Sequence, residues 1–430
     1  MGILRELASD LMQDEPAFRT KIMQARRFSV KMPDVLNFVW IGDCDRADFT
    51  YLSVWKQFNP QASLQVWTDD ASHFCPRFQQ CLLEGSSDPE RPLLSLRNAA
   101  FDYIYEKIVD GCCFNSAAAS FLKINRLAHD DIIPEWNKCG ADYIPAGTHH
   151  RDINALFEGE FHSFRKPYYY ELILRGNFAA ASDIIRLLIL YRFGGFYIDV
   201  DTLPEISYLF IDTRTAEIAL GIENEENICL AKTVAFMGWY HNRKDWLTDV
   251  AKFLRAIPAL ADTERIGLSE SLESDVSRIC QEVLEPLGDV YAHPDFLMAG
   301  AVSFLPGTFF NNMMCAAAGS RLIKLILKHI ADHYRYLENR GFLTSPGEKG
   351  SNAYRSFLCQ YRYDAGTFSD PLTLRLTGPG AIADAIVKLI YRLAPPEKRI
   401  PAFELGKRFQ KDDYQLVIKK QTIDTPMGLK

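Results

Sequence analysis

The sequence predicts an α/β fold in which a mostly parallel sheet carries large helical insertions. Two patterns support this prediction: a strand–helix–strand unit within residues 33–68 and a helix followed directly by a buried strand within residues 177–204. Strand–helix–strand units build parallel sheets because the crossover helix returns the chain to the same end of the sheet. The 430 residues, 48% of them hydrophobic and 24% charged, are sufficient to bury a large core.

The first predicted unit begins with an apolar run, Val35 to Ile41, that indicates a short buried strand. Pro33 before it and Gly42 after it are residue types that commonly bound strands. Apolar residues at three-residue spacing then predict a helix that ends at Asn59, and residues 64–68 predict a second strand. The unit therefore supplies two neighbouring parallel strands.

The most informative segment is residues 177–204, NFAAASDIIRLLILYRFGGFYIDVDTLP. Residues 179–193 lack glycine and proline and are rich in helix formers, so they predict a helix. The pair Gly194-Gly195 ends that helix in the manner of a C-cap. Residues 196–200 then predict a buried strand of aromatic and β-branched residues.

The remaining elements complete one large α/β domain, which we expect to span residues 33–395. A polar helical extension precedes it at residues 1–32, and a tail follows at residues 396–430. Helical insertions are expected at residues 71–170, where glycine and proline interrupt the pattern, and at residues 240–290. The other predicted elements are a strand at 217–223 and helices at 244–285, 320–338 and 381–393.

Composition excludes several classes of protein. The net charge of −7 gives no basic surplus of the kind that nucleic-acid binding usually requires. The ten cysteines form no close-spaced framework and no C-x-x-C pair, which predicts reduced thiols in a reducing compartment. Acidic residues interrupt the first 18 positions, so no cleavable signal peptide is expected, and no apolar run is long enough for a membrane span.

Four charged residues form the candidate reactive centre. Asp199 and Asp201 stand at the end of the predicted strand, where alternation would put both carboxylates on one face of the chain. Two carboxylates at a strand end can bind one divalent cation. Such a triplet also occurs in ordinary acidic loops, so it carries little weight alone. Asp183 and Arg186 share one face of the preceding apolar helix, where charges are costly unless they are paired or used. A purely structural ion pair is the alternative interpretation.

The order of these motifs resembles a known family. The block N-x-A-A-A-S-D-I-I-R, followed by G-G-F-Y-I-D-V-D-T-L-P, is similar to the metal-dependent GT-A glycosyltransferases that carry a DXD motif. The same block resembles the catalytic domain of the large clostridial glucosylating toxins and related bacterial effectors. The segment LNFVWIGD is similar to the first strand of the same family. The resemblance implies a GT-A type, Rossmann-like sheet with helical insertions.

The resemblance also implies roles for the residues that bind the donor, a UDP-sugar. Trp40 would stack on the uracil ring, with an ordinary core tryptophan as the alternative. Asp183 and Arg186 would hold the sugar hydroxyls and the diphosphate. Tyr197 would line the same pocket, although plain strand packing explains it nearly as well.

The implied cofactor is Mn²⁺ or Mg²⁺. Asp201 would bind the metal directly, while Asp199 would contact the ribose and reach the metal through water. The family carries a lid tryptophan near the C-terminal end of the domain, whereas the last tryptophan here is Trp246. Residues 364–380 are therefore assigned as the lid or as an acceptor-side segment. In this segment Ser369, Asp370 or Thr377 would complete the coordination of the metal. Asn311 and Asn312 either face the donor sugar or, more simply, cap a turn before a helix.

The function implied by the resemblance is transfer of glucose or N-acetylglucosamine, with retention, to a hydroxyl of a protein acceptor. The protein would then be an injected bacterial effector that acts in the host cytosol, with a host small GTPase as the first candidate acceptor. Three alternatives stay open: a glycosyltransferase of bacterial surface polysaccharide, a non-catalytic sugar-nucleotide-binding adaptor, and an aspartate-nucleophile phosphatase. The last is disfavoured because Leu203 stands where its D-x-D-x-T signature needs threonine.

Overall fold

The computed structural model describes most of the predicted α/β domain. It covers residues 26–43, 47–86, 92–127, 145–223, 225–280, 283–301, 309–345, 353–362, 371–393, 399–410 and 417–418, with the single positions 16, 20, 24 and 347. The predicted extension and tail lie largely outside these residues, so the domain boundaries stay predictions.

Nine strands are assigned in the described residues, and seven of them form one sheet. Their bounds are β1 Val30–Lys31, β2 Val35–Trp40, β3 Ser63–Thr68, β4 His149–Asp152, β5 Gly195–Ile198, β6 Tyr291–Ala292, β7 Met298–Gly300, β8 Phe310–Ala316 and β9 Val417–Ile418. The sheet has the order β4-β3-β2-β5-β8-β7-β9, and β1 pairs separately with β6. Strands β2 to β5 are mutually parallel, whereas β8 is antiparallel to both its neighbours. The predicted mostly parallel sheet is confirmed.

Helices cover both faces of this sheet. Within the described residues their bounds are α1 Thr50–Phe58, α2 Cys75–Gly85, α3 Leu93–Val109, α4 Phe114–Ile124, α5 Arg165–Tyr169, α6 Phe178–Phe193, α7 Ile211–Leu220, α8 Glu226–Tyr240, α9 Trp246–Arg255, α10 Asp262–Ser277, α11 Arg321–Arg340, α12 Pro371–Leu376, α13 Pro379–Leu393 and α14 Ala402–Phe409. Side chains of α1 pack on one face of the sheet, and those of α6 and α11 pack on the other. Helices α7 to α10 form a separate apolar cluster with the far side of α1. None of the helices in the described ranges is long and apolar enough to cross a bilayer.

The glycine pair between α6 and β5 is required by close backbone packing. Gly194 ends α6 with a φ of 68°, and a Cβ there would lie 2.7 Å from the backbone nitrogen of Ala318. Gly195 has a φ of 84°, and its Cβ would lie 2.8 Å from the carbonyl oxygen of Val35 in β2. These contacts leave no room for a side chain where the chain turns from α6 into the centre of the sheet.

Four predicted elements differ from the structure. The predicted strand at 217–223 is the end of α7, because Thr213 and Glu217 are buried one helical turn apart and Gly221 supplies a left-handed cap. The insertion at 71–170 is helical but also contributes β4, which pairs in parallel with β3. The helix expected at 244–285 is two helices, α9 and α10, separated by a segment that contains Pro258. Finally, β5 ends at Ile198 rather than at residue 200.

The order of the strands determines where a ligand can bind. The chain proceeds from β2 outward to β3 and β4, and then returns to place β5 on the opposite side of β2. In open parallel sheets, ligands bind beyond the carboxyl ends of the strands at such a reversal. The ends of β2 and β5 are therefore the expected binding edge.

Candidate active site

The predicted site residues meet at the carboxyl ends of β2 and β5. Trp40 is the last residue of β2, and Asp199 directly follows β5. Helix α6 packs beneath them and carries Asp183 and Arg186, which are each only 5% exposed. The topology therefore places residues from distant parts of the chain at one edge of the sheet.

Local sequence explains the position of α6. The side chain of Asn177 accepts a hydrogen bond of 2.9 Å from the backbone N–H of Ala180 and so caps the helix. A π-helical turn at Tyr170–Arg175 precedes it and ends at Gly176, whose φ is 65°. Helix α6 is apolar along most of its buried surface, so Asp183 and Arg186 are charges in an environment with little water.

Arg186 connects α6 to the strand ends. Its Nη2 lies 3.4 Å from Oδ1 of Asp183 and 3.2 Å from Oδ1 of Asp199, and it thus bridges two carboxylates. Its Nη1 donates a hydrogen bond of 2.8 Å to the carbonyl oxygen of Asn311 in β8. The guanidinium also lies over the ring of Tyr197, 4.5 Å from its centre. One cation is therefore shared by three elements of the site.

The Asp183 carboxylate is held by donors from three directions. Nδ2 of Asn311 donates to Oδ1 at 2.8 Å, and the hydroxyl of Thr377 donates to Oδ2 at 2.9 Å. Burial raises the pKa of Asp183, while Arg186, Thr377 and Asn311 act in the opposite direction. These three donors favour the ionised form of the carboxyl and oppose the effect of burial.

Tyr197 acts as a donor to Asp199. Tyr197 lies in β5 and Asp199 directly follows that strand, and the phenol donates a short hydrogen bond to Oδ1 of Asp199. Burial is the main cause that raises the pKa of Tyr197 well above 10, so the phenol stays protonated near neutral pH. Tyr197 is only 1% exposed, so in this structure it supports Asp199 rather than lining open space.

The two carboxylates of the D-V-D triplet are not arranged by strand alternation. Because β5 ends at Ile198, Asp199 and Asp201 lie in the turn that follows it. The backbone N–H of Asp199 donates to the carbonyl oxygen of Asn312 at 2.7 Å, which ties the turn to β8. Both side chains are half-buried, and that of Asp199 is 24% exposed.

These two carboxylates fit a hard divalent cation. Mn²⁺ and Mg²⁺ prefer oxygen ligands, and Mg²⁺ sites commonly combine one or two carboxylates with substrate phosphates and water. Among the residues that the structure describes, no group of three or more histidine, cysteine or acidic side chains could hold a metal. A cation here would therefore take Asp199 and Asp201 together with oxygens from a substrate. Ser369 and Asp370 lie outside the described residues.

Trp40 differs from its neighbouring tryptophans. Trp55 and Trp67 are 1% and 3% exposed and fill the core, whereas Trp40 is half-buried at the binding edge. Its Nε1 donates to the carbonyl oxygen of Asp43 at 3.1 Å, and its ring meets Phe49 edge-on at 6.1 Å. The ring is thus fixed in orientation while part of it stays accessible, as a stacking platform requires.

The simpler of the two predictions for Asn311 and Asn312, that they cap a turn before a helix, is wrong. Both residues lie in β8, where Asn311 contacts Asp183 and Nδ2 of Asn312 donates to Thr202 at 3.2 Å. The following apolar run, Met313 to Ala316, is the signal that could have identified a strand. The partner Asp183 lies 128 positions away and could not have been identified from sequence pattern.

Two family models match overlapping parts of this chain. Residues 146–349 match the family model of the TcdA/TcdB catalytic glycosyltransferase domain. Residues 46–217 match the model of the glycosyltransferase sugar-binding region containing the DXD motif. Both models include the segment from α6 to the D-V-D turn.

Curated relatives are clostridial toxins. Toxin B of Clostridioides difficile is 23% identical over 356 residues, which cover 75% of this chain and 14% of the toxin. Cytotoxin-L of Paraclostridium sordellii is 21% identical over 351 residues, covering 71% of this chain and 13% of the cytotoxin. The alignments thus span only a small part of these relatives' length.

Solved structures show the same fold. The catalytic domain of alpha-toxin from Clostridium novyi superposes with a TM-score of 0.72 at 18% identity, covering 96% of this chain and 81% of that domain. The UDP-bound glycosyltransferase domain of the YGT toxin has a TM-score of 0.54 at 17% identity, covering 85% of this chain and 79% of that domain. The chain therefore has the GT-A fold of these toxin domains, and parts of it match the family models of the TcdA/TcdB catalytic glycosyltransferase domain and of the DXD-containing sugar-binding region.

Proposed function

We propose that this protein transfers glucose or N-acetylglucosamine from a UDP-sugar to a hydroxyl of a protein acceptor, with retention of configuration. The observation that carries the proposal is the bridge that Arg186 makes between Asp183 and Asp199 at the strand-order reversal. A guanidinium can bind phosphates, and two carboxylates can accept hydrogen bonds from sugar hydroxyls. This edge of the sheet therefore suits a ligand that contains both groups. The UDP bound to the glycosyltransferase domain of the YGT toxin supports the choice of nucleotide.

In this proposal, each site residue binds part of the donor or stabilises charge on it. Trp40 stacks on the uracil ring, and Arg186 offers its charge to the diphosphate. Asp183 accepts hydrogen bonds from the sugar hydroxyls. Asp199 and Asp201 would hold Mn²⁺ or Mg²⁺, which would supply positive charge that stabilises the departing diphosphate.

The bond changes require no strong protein base. The acceptor oxygen bonds to the anomeric carbon, the bond from that carbon to the diphosphate oxygen breaks, and the hydroxyl proton passes to the departing phosphate. Asp183 and Asp199 already accept hydrogen bonds and Tyr197 is a protonated donor, so all three suit binding better than proton abstraction. Retention places the acceptor on the face that the diphosphate leaves.

The acceptor proposal rests on the toxin relatives. Proteins similar to this chain are toxins, and a host small GTPase is the first candidate acceptor. The protein would then reach the host cytosol through a specialised secretion system. Helices α7 to α10 have an apolar cluster of their own, separate from the main core, and we expect this helical part to contact the protein substrate.

A donor-hydrolysis screen tests the reaction. UDP-glucose, UDP-N-acetylglucosamine and other UDP-sugars are incubated with the 430-residue chain, with and without Mn²⁺. We expect metal-dependent release of UDP from one of them and none from the double variant Asp199→Asn, Asp201→Asn. Absence of hydrolysis with every donor would contradict the proposal and favour a pure binder.

Labelled donor and a host-cell lysate test the acceptor. Discrete labelled protein bands are expected, including one at the size of small GTPases. Label found only in lipid or polysaccharide would overturn the effector role and leave a polysaccharide glycosyltransferase.

A further inference from the structure

Thr377 contacts the site from a distant part of the chain. It follows α12, is fully buried, and its hydroxyl donates a hydrogen bond of 2.9 Å to Oδ2 of Asp183, 194 positions away in sequence. Asn311 holds the other carboxylate oxygen, Oδ1, at 2.8 Å. The plane of the Asp183 carboxylate is thus fixed by donors from two separate elements.

The segment that carries Thr377 is firmly anchored. Leu372 and Leu376 are 1% and 0% exposed and belong to the main apolar core. The hydroxyl of Thr373 accepts hydrogen bonds from Nη2 of Arg175 at 3.0 Å and from Nδ2 of Asn177 at 2.7 Å. Since Asn177 also caps α6, helix α12 is joined to the N-terminus of the helix that carries Asp183.

The turn after α12 packs closely against the carboxylate. A Cβ at Gly378 would lie 3.3 Å from Oδ2 of Asp183 and 3.1 Å from Cα of Leu374. A Cβ at Gly380 would lie 2.8 Å from the carbonyl oxygen of Leu374. Glycines at both positions let the turn approach α12 and Asp183, so the contact of Thr377 is part of a close-fitting structure.

We infer that Thr377 is a positioning residue for the donor sugar, because its hydroxyl holds the Asp183 carboxylate in the orientation that accepts the sugar hydroxyls. The inference rests on the proposed function, in which Asp183 binds the sugar part of the donor. Thr377 acts through Asp183 and contributes nothing to the UDP part. Loss of its hydroxyl should therefore weaken the contribution of the sugar to affinity and leave the affinity for UDP unchanged.

Calorimetry with UDP and with the UDP-sugar that the hydrolysis screen selects tests this inference, both in the presence of Mn²⁺. Thr377→Val keeps the shape of the side chain and removes the donor. We expect the dissociation constant of the UDP-sugar to rise about tenfold, the scale of one hydrogen bond to a charged group, while that of UDP does not change. Thr377→Ser should retain the wild-type ratio of the two constants.

Thr213 provides the matched control. It is a buried threonine in α7, and its hydroxyl donates at 2.7 Å to the buried carboxylate of Asp275 in α10. Thr213→Val should lower the melting temperature and leave both dissociation constants unchanged. If Thr377→Val does not fold, Thr377→Ala replaces it in the same measurement.

The outcomes separate the two proposals. If the wild type binds no UDP-sugar, the proposed function fails. The wild type is expected to bind the UDP-sugar more tightly than UDP. If a folded Thr377 variant without the hydroxyl shows the same ratio of the two dissociation constants, the positioning role fails. Equal weakening of UDP and UDP-sugar would also overturn it, since that pattern indicates a general structural effect.

Discussion

Among the individual residues of the site, Arg186 has the largest electrostatic role, because it pairs with two carboxylates. It is almost completely buried, and its charge is compensated by Asp183 and Asp199. Buried ions are tolerated only when they are paired in good geometry. The planar guanidinium reaches both carboxylates and the carbonyl oxygen of Asn311 at once, which one ammonium group cannot reproduce.

Arg186→Lys should therefore lower kcat/KM at least about tenfold, because one of the bridged carboxylates loses its partner. Steady-state kinetics of donor hydrolysis measures the effect. Arg192→Lys is the control, since Arg192 is on the same helix but donates to the backbone carbonyl of Ala155 at the surface. Equal activity of the two variants would contradict the role of Arg186.

Trp40→Ala should weaken UDP binding by about 1–3 kcal/mol, which is the scale of stacking between a base and an aromatic ring. The half-buried ring can lose this contact without emptying the core, so the melting temperature should change little. Calorimetry with UDP and thermal unfolding measure the two quantities. A large loss of stability with unchanged affinity would show that Trp40 is a core residue.

Among the secondary-structure elements, β5 determines where the site residues lie, because it packs between β2 and β8. The D-V-D turn has its position because β5 pairs with both strands and because the N–H of Asp199 bonds to Asn312. Gly195 permits the approach of β5 to β2, since any Cβ would meet the carbonyl oxygen of Val35. The site is therefore sensitive to a change that separates these strands.

Gly195→Ala should destabilise the fold by about 3 kcal/mol or more, because a left-handed φ and a backbone clash coincide. Gly221→Ala is the matched control: its φ is 69°, but a Cβ would meet nothing within 4 Å, so only about 1 kcal/mol is expected. Urea denaturation of both variants checks the difference. Equal losses would refute the clash.

Two buried histidines make the stability of the whole molecule sensitive to acid. His329 and His333 lie on α11 with ring centres 4.3 Å apart. Burial lowers the pKa of His329 to about 4 and that of His333 to about 3, helped by Lys388 and Arg355 near both rings. In the unfolded chain both would titrate near the ordinary value, 6.5. The unfolded state therefore binds more protons below pH 6.5, and acid favours unfolding.

Above pH 6.5 the titration of His333 should have little effect on the free energy of unfolding. At pH 5 it should lower that free energy by about 2 kcal/mol, because the unfolded state binds the proton and the folded state does not. Urea denaturation at pH 7.5 and pH 5 measures this change. His333→Gln, which does not titrate, should lose correspondingly less stability over the same interval. An identical pH dependence in the variant would contradict the assignment.

Local sequence by itself determined β2, β3, α1 and α6. Their apolar runs, caps and glycine pair specify local structure strongly, and the resemblance to the DXD glycosyltransferases depends on the same residues. The sequence of residues 217–223, E-I-A-L-G-I-E, suits a short strand as well as a helix end, so the predicted strand there is wrong. Packing against α10 stabilises the helical form of α7, because Asp275 accepts hydrogen bonds from the N–H groups of Asp212 and Thr213 at its start.

Tertiary structure alone decided which residues complete the site. Asn311 and Thr377 reach Asp183 from 128 and 194 positions away, and β4 joins the sheet from within a segment that reads as helical. Such contacts depend on how strands are ordered and how helices pack. Hydrophobic periodicity records which face of an element is buried but not which element covers it, so these partners appear only when the chain is folded.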